Sequence, residues 1–147
     1  MKIVVNRCYG GFGLSTEAIC MYAERKGFKI YAYTQTKYKF KEGVEEYKRL
    51  DDKGNKKKGI RCYLKRCYLK KDLGETISKL QSDNSLWFSE YDIARDDKDL
   101  ITVVEKLGKK ANGDHAELEV VKIPDNIKWE ISEYDGVETI EEEHKRW

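Results

Sequence analysis

Apolar and polar positions along this chain follow several rhythms, and each predicts a different element. Lys2-Ile3-Val4-Val5-Asn6 is a short apolar run between polar ends, the pattern of a buried strand. From Thr16 to Lys26, Ala18, Ile19, Tyr22 and Ala23 recur at helical spacing, which predicts a helix with that stripe turned to a sheet. Ser15 is placed to cap it, Glu17 suits its positive first turn, and Gly27 supplies the residue that ends it. Phe28 to Thr34 reads as a second strand. Strand, helix and strand together predict a βαβ unit, right-handed and parallel where the two strands share a sheet.

Further on, Val44 to Leu50 and Gly59 to Leu64 read as strands around Asp51-Asp52-Lys53-Gly54-Asn55, a turn composition. Residues 72–82 predict a short helix on Leu73, Ile77 and Leu80, interrupted by Gly74. Leu86-Trp87-Phe88 and Tyr91-Asp92-Ile93 are apolar enough for a strand or a packed loop. A clearer helix runs from Asp97 to Leu107. Asp96 or Asp97 caps it, Leu100, Val103, Val104 and Leu107 form its stripe, and Gly108 stops it. Ala116 to Ile123 reads as a strand, Pro124-Asp125-Asn126 as its turn, and Ile127 to Tyr134 as the returning strand. Val137 to Trp147 predicts a short acidic helix with Trp147 tucked against the body.

One local repeat interrupts this pattern. Arg61-Cys62-Tyr63-Leu64-Lys65 recurs as Arg66-Cys67-Tyr68-Leu69-Lys70. The period is too short for a repeat architecture. An odd-length copy also reverses the facing of equivalent side chains on a strand, so the repeat reads as a duplication within a protruding hairpin. The elements sum to a single α/β or α+β domain over residues 1–147. It is expected to hold a mixed sheet, two principal helices and a projecting basic β-hairpin inserted at 37–71.

Composition changes this picture chiefly through charge. The chain has 147 residues, 38% charged and 12% aromatic, enough for a sizeable core and against disorder of the whole. The formal charge of +2 conceals an asymmetry. Residues 37–71 carry 14 Lys/Arg against 5 Asp/Glu, and residues 125–147 carry 8 acidic against 3 basic side chains. These segments could attract each other, or the first could face a polyanion. No run of about 18 apolar residues predicts a membrane-spanning helix, and the N-terminal pattern predicts no secretory signal. Cys8, Cys20, Cys62 and Cys67 lack paired metal-ligand spacing and only two His are present, so free thiols in a reducing cytoplasm, no metal and no cofactor are expected.

The strongest candidate chemistry lies between the first strand and the first helix, at Arg7-Cys8-Tyr9-Gly10-Gly11-Phe12-Gly13-Leu14-Ser15. A flexible loop there exposes backbone N–H groups beside the positive end of a helix, where an anionic or nucleotide-like ligand is favoured. Arg7 offers a bidentate phosphate donor, Tyr9 and Phe12 offer stacking faces, and Ser15 offers a hydroxyl. The glycines Gly10, Gly11 and Gly13 complete neither standard nucleotide motif: Thr16 stands where a dinucleotide-binding loop has its last glycine, and no Gly-Lys-Ser/Thr follows. Two readings stay open, a binding loop or a turn that needs glycine for geometry and close packing. Arg95, Tyr134 and Asp135 are secondary candidates, although Arg95 equally suits an ion pair and Asp96 a helix cap. His144 near Glu141, and His115 beside Asp114, read as surface histidines. Cys8 suits either inward packing or, with a lowered pKa, a nucleophile.

The two ends of the chain also resemble a family of small uncharacterised proteins of bacteriophages and prophages. The likeness rests on residues 2–15, on Tyr91-Asp92-Ile93-Ala94-Arg95-Asp96, and on Val104-Glu105-Lys106-Leu107-Gly108. It continues through Ile123-Pro124-Asp125, Trp129-Glu130-Ile131, Glu133-Tyr134-Asp135-Gly136-Val137-Glu138 and His144-Lys145-Arg146-Trp147, but not through the middle, about 37–85. The resemblance implies an accessory protein in the cytoplasm of an infected bacterium, acting in host takeover or counter-defence, and brings no catalytic residue with it. Combined with the loop chemistry, it suggests a non-enzymatic binder that sequesters a nucleotide-like or other anionic small molecule. The alternative is a nucleic-acid-binding or host-protein-binding inhibitor acting through 37–71. Neither reading involves a membrane, and both leave room for a homo-oligomer. An enzyme using Cys8 or His144 ranks below both.

Overall fold

Strand β1 (Lys2–Asn6) forms where the apolar run predicts it, and its neighbours explain why it tolerates no polar interruption. The computed structural model describes residues 1–39, 44–51, 66–77 and 86–142. This α+β domain divides into two compact units, residues 1–18 with 90–147, and residues 19–89. In the first unit β1 pairs antiparallel with β7 (Leu118–Lys122), from Lys2 opposite Lys122 to Asn6 opposite Leu118. Ile3, Val4, Val5 and Asn6 are wholly buried, so both faces of this strand are covered. Helix α2 (Lys98–Leu107) packs on β1 and β7, burying Leu100, Val103 and Val104. The Asp97 carboxylate caps it by accepting the N–H groups of Asp99 and Leu100, and Gly108 leaves the helix at φ +56°.

β8 (Trp129–Tyr134) and β9 (Val137–Glu142) complete this unit as a hairpin. Its two-residue turn is Asp135-Gly136, with φ values of +50° and +89°, the sign that a right-twisting hairpin requires at both positions.

The second unit holds a five-stranded antiparallel sheet in the order β5-β3-β2-β4-β6. Its strands are β2 (Tyr31–Lys39), β3 (Val44–Arg49), β4 (Arg66–Leu69), β5 (Thr76–Ile77) and β6 (Trp87–Phe88). Tyr33, Tyr47, Cys67, Leu69 and Ile77 bury one another, with Tyr31, Leu73 and Trp87 packed against them. A buried tyrosine must place its hydroxyl: Tyr33 donates to the Gly74 carbonyl at 2.8 Å and accepts the Leu73 N–H at 3.1 Å. Burial pushes the Tyr33 phenol above its usual pKa. Helix α1 (Thr16–Lys26) has the predicted bounds. Ser15 Oγ accepts the Ala18 N–H at 3.1 Å, Gly27 follows at φ +89°, and Ala18, Ile19, Tyr22 and Ala23 are buried. Tyr22 and Phe28 both pack their rings on Phe88.

Several expectations are corrected. The strand expected at Phe28–Thr34 runs from Tyr31 to Lys39. β1 and β2 lie in different sheets, so no parallel βαβ unit forms, and every described pairing is antiparallel rather than mixed. Hydrophobic pattern marks a strand but not its partner, and here the nearest strand in sequence is not the one that pairs. β7 and β8 show the same effect: β8 returns onto β9, not onto β7. The acidic segment Val137–Glu142 is a strand because the Asp-Gly turn feeds it back along β8; residues 143–147 lie outside the described residues.

No helix forms at 72–77, where Gly74 sits at φ +92° and the Asp72 carboxylate accepts the Gly74 N–H at 2.8 Å, closing a turn before β5. Residues 78–82 of that expected helix, the strand expected at 59–64 and the turn residues 52–55 lie outside the described residues. Of the projecting hairpin, the second repeat copy does not project. Its Cys67, Tyr68 and Leu69 are buried in β4, between β2 and β6.

Candidate functional site

The glycine loop begins where β1 ends on Asn6, a wholly buried amide that organises everything around it. Asn6 Nδ2 donates to the carbonyls of Cys8 at 2.8 Å and Gly136 at 2.7 Å. Its Oδ1 accepts the N–H groups of Cys8 at 3.2 Å and Glu117 at 2.9 Å. One side chain therefore ties the loop to the start of β7 and to the β8–β9 turn. The glycines let those backbones meet. A Cβ on Gly136 would collide with the Gly11 nitrogen and come within 2.6 Å of that of Gly10. A Cβ on Gly113 would come within 2.8 Å of Gly13, whose carbonyl accepts the Gly113 N–H at 2.9 Å. Gly10 itself, at φ +133°, would place a Cβ 2.7 Å from that of His115. Close packing thus accounts for much of the glycine content.

The charged and aromatic candidates in and near this loop are largely engaged by the fold. Arg7 Nε pairs with Glu119 at 2.9 Å and its Nη1 donates to the Glu138 carbonyl at 2.8 Å. Arg95 forms a two-pronged pair with Glu138, Nη1 to Oε1 at 2.5 Å and Nη2 to Oε2 at 2.8 Å. The same guanidinium lies 3.6 Å from the centroid of the Phe12 ring, whose other contact is the edge of Tyr91. Phe12 is only 6% exposed, which removes it as a stacking face for a ligand. Ser15 Oγ caps α1 and donates to the Lys110 carbonyl at 2.5 Å.

A second anion is already built in at the end of the loop. The Glu90 carboxylate accepts the Leu14 N–H, one residue before the Ser15 cap. Loss of hydration pushes the Glu90 carboxyl above its ordinary pKa, against the lowering effect of that hydrogen bond. The neighbouring Tyr91 phenol is raised as well, by its own burial and then by the Glu90 charge.

Among the described residues, no acceptor meets the backbone N–H groups of Gly10, Gly11, Phe12 or Gly13. Tyr9 beside them is 69% exposed. Lys109 and Lys110 are exposed on a 3-10 turn over Gly108–Ala111, which the Ser15 N–H and Oγ hold beside the start of α1. Tyr134 and Asp135 are exposed at the hairpin turn, where the next residue, Gly136, lies against the loop backbone. The Cys8 thiol is half-buried and directed at the Tyr9 carbonyl. His115 is exposed and His144 lies outside the described residues. Among the described residues no three His, Cys, Asp or Glu side chains gather to hold a metal ion.

Sequence reasoning missed Asn6, Glu90 and Glu138, which do most to shape this region, and the lysines Lys109 and Lys110. The only early signal was a polar residue, Asn6, closing an otherwise apolar strand. No family model, curated protein or solved structure matches this chain.

Two outcomes follow from this geometry. Removing one partner of the buried pair by Arg95→Ala leaves the Glu138 charge desolvated, and unfolding in urea should show a loss of about 3–5 kcal/mol. Breaking the exposed Lys2–Glu105 pair by Lys2→Ala should cost about 0–1 kcal/mol. Equal effects in the two variants would contradict the role given to Arg95. For Glu90, the folded state holds its proton more tightly than the unfolded state. Its contribution is therefore most favourable below the ordinary glutamate range and declines as pH rises from that range through the raised folded value. Glu90→Gln keeps an acceptor for Leu14 and removes the titration, so its stability advantage over the parent should grow across that window. Denaturation midpoints measured from about pH 4 to about pH 7 would test the slope.

Proposed function

We propose that this chain is a non-enzymatic binding protein whose basic unit, residues 19–89, engages a polyanion of the single-stranded nucleic-acid type. The observation that carries the reading is the coincidence of charge with structure. Residues 19–89 hold 18 Lys/Arg against 9 Asp/Glu, a formal +9, whereas the other unit holds 11 against 18, a formal −7. A phosphate backbone is attracted to the first and repelled by the second. Arg66, Lys70 and Lys71 are exposed in and just after β4. Tyr31 lies near the Lys29 ammonium at 5.3 Å and beneath the Arg49 guanidinium at 4.7 Å, which also pairs with Asp72 at 2.9 Å, so Lys29 is the cation here that joins an aromatic ring for unpaired bases and phosphates. The basic residues Lys53, Lys56, Lys57, Lys58, Arg61 and Lys65 belong to the same segment but lie outside the described residues. An acidic host protein is the competing occupant of the same charge.

A second reading has its own observation. The N–H groups of Gly10 to Gly13 lack acceptors among the described residues and adjoin the exposed Tyr9 and Lys110, which suits a nucleotide-like or other anionic small molecule. It ranks second because Arg7 and Phe12 are engaged within the fold and the surrounding unit is acidic. The resemblance to small phage proteins supports the setting for either reading, an accessory protein in an infected bacterial cytoplasm that sequesters a signal or blocks a host component in counter-defence.

Fluorescence anisotropy with a labelled single-stranded oligonucleotide separates these readings. Affinity should fall steeply with salt, and Lys70→Ala/Lys71→Ala should reduce the log–log salt slope by about 1.4, at about 0.7 per phosphate contact. Absence of binding at low salt overturns the polyanion reading. Calorimetry against a nucleotide panel tests the second: heat that disappears in Tyr9→Ala, with oligonucleotide binding unchanged, places the small ligand at the loop.

A further inference from the structure

The β8–β9 hairpin has two faces of different character. Cross-strand partners share a face, so Trp129, Ile131 and Glu133 lie with Glu142, Ile140 and Glu138 on one side. Glu138, 4% exposed and paired with Arg95, turns that side inward. The other side carries Glu130 opposite Glu141, Ser132 opposite Thr139, and Tyr134 opposite Val137. Glu130, Tyr134, Thr139 and Glu141 are exposed there, and Tyr134, at 81%, is the most exposed large hydrophobic side chain of those described.

This outer face is unfavourable as it stands. Two carboxylates directly opposite on paired strands repel each other. Among the described residues no lysine or arginine forms an ion pair with either Glu130 or Glu141. Asp135 adds a further exposed negative charge at the turn beside Tyr134. A partner bearing guanidinium or ammonium groups would relieve the repulsion and place a cation on the open Tyr134 ring. A partner bearing phosphate or carboxylate would worsen it.

We propose that this face docks the basic unit of a second copy of the chain, so that molecules associate head to tail. The argument for a second copy is charge complementarity: the face belongs to the unit of formal charge −7, and residues 19–89 of every copy carry +9. The two contacting surfaces differ, so the contact is heterologous, and the resulting pair keeps one free face of each sign. Association therefore grows with protein concentration and collapses as salt screens it. It does not require that the basic unit bind nucleic acid, so it survives or fails apart from that reading.

Sedimentation velocity of the purified full chain, without nucleic acid, decides the matter. At an ionic strength of about 0.01 M, where charges act over about 30 Å, the weight-average mass should rise with concentration to at least double the monomer value. At about 1 M, where the range is about 3 Å, it should return to the monomer. Glu130→Gln/Glu141→Gln and, separately, Tyr134→Ala should each lower the low-salt mass without lowering the thermal unfolding midpoint. A monomer at every concentration in low salt overturns the proposal. So does association that is indifferent to salt, or association that both variants retain.

Discussion

The two-pronged contact between Arg95 and Glu138 is the interaction on which the first unit depends. β1 has one paired edge, against β7, and among the described residues no strand pairs with its other edge. Lys2, Val4 and Asn6 of β1 face that second edge, and the last two are buried there. The Arg95 carbonyl accepts the Val4 N–H at 2.9 Å, the Arg95 guanidinium donates to the Val4 carbonyl at 3.3 Å, and the Glu138 carboxylate accepts the Asn6 N–H at 2.8 Å. An ion pair thus stands where a third strand would otherwise be needed, and satisfies the main chain of a fully buried segment. The cost of desolvating the pair offsets much of its own attraction, but breaking it strands a charge and several backbone groups at once. The same guanidinium covers Phe12, which carries the clasp into the glycine loop.

That arrangement changes the meaning of the glycine loop. A glycine-rich turn between a strand and a helix is equally the signature of a phosphate cradle and of a crowded crossing of backbones. Here two segments approach the loop more closely than an added Cβ would allow, the β8–β9 turn at Gly136 and the stretch before β7 at Gly113 and His115. The positive end of α1 is served by Ser15 and, one residue earlier, by the Glu90 carboxylate. What is left over for a ligand is confined to a few backbone N–H groups, Tyr9 and two lysines. Function therefore shifts toward surfaces and toward charge, which divides along the same boundary as the structure.

Local signals were legible to the extent that one residue's neighbours in sequence decide its state. The bounds of α1, its Ser15 cap and Gly27 stop, the stripe of α2 with Asp97 and Gly108, and β1 itself all follow from short-range pattern. The errors share a different cause. Val137–Glu142 carries acidic residues that a helix would accept. It is a strand because Asp135-Gly136 reverses the chain and β8 offers a partner. Residues 72–77 show helical spacing, but Gly74 and the buried Tyr33 hydroxyl, distant in sequence, hold them in a turn. Arg95 could be read as half of an ion pair, yet its partner lies 43 residues away and nothing local marks Glu138 as that partner.

By itself, then, the amino-acid sequence determined where the chain is helical or extended at its clearest segments, which residues are buried there, and how charge is distributed, because periodicity, caps and composition act over a few residues. Only the tertiary structure decided which strands pair, why the glycines are glycines, and which of the candidate side chains are already engaged. Those depend on contacts between segments that are far apart in the chain and carry no record of each other in their local pattern.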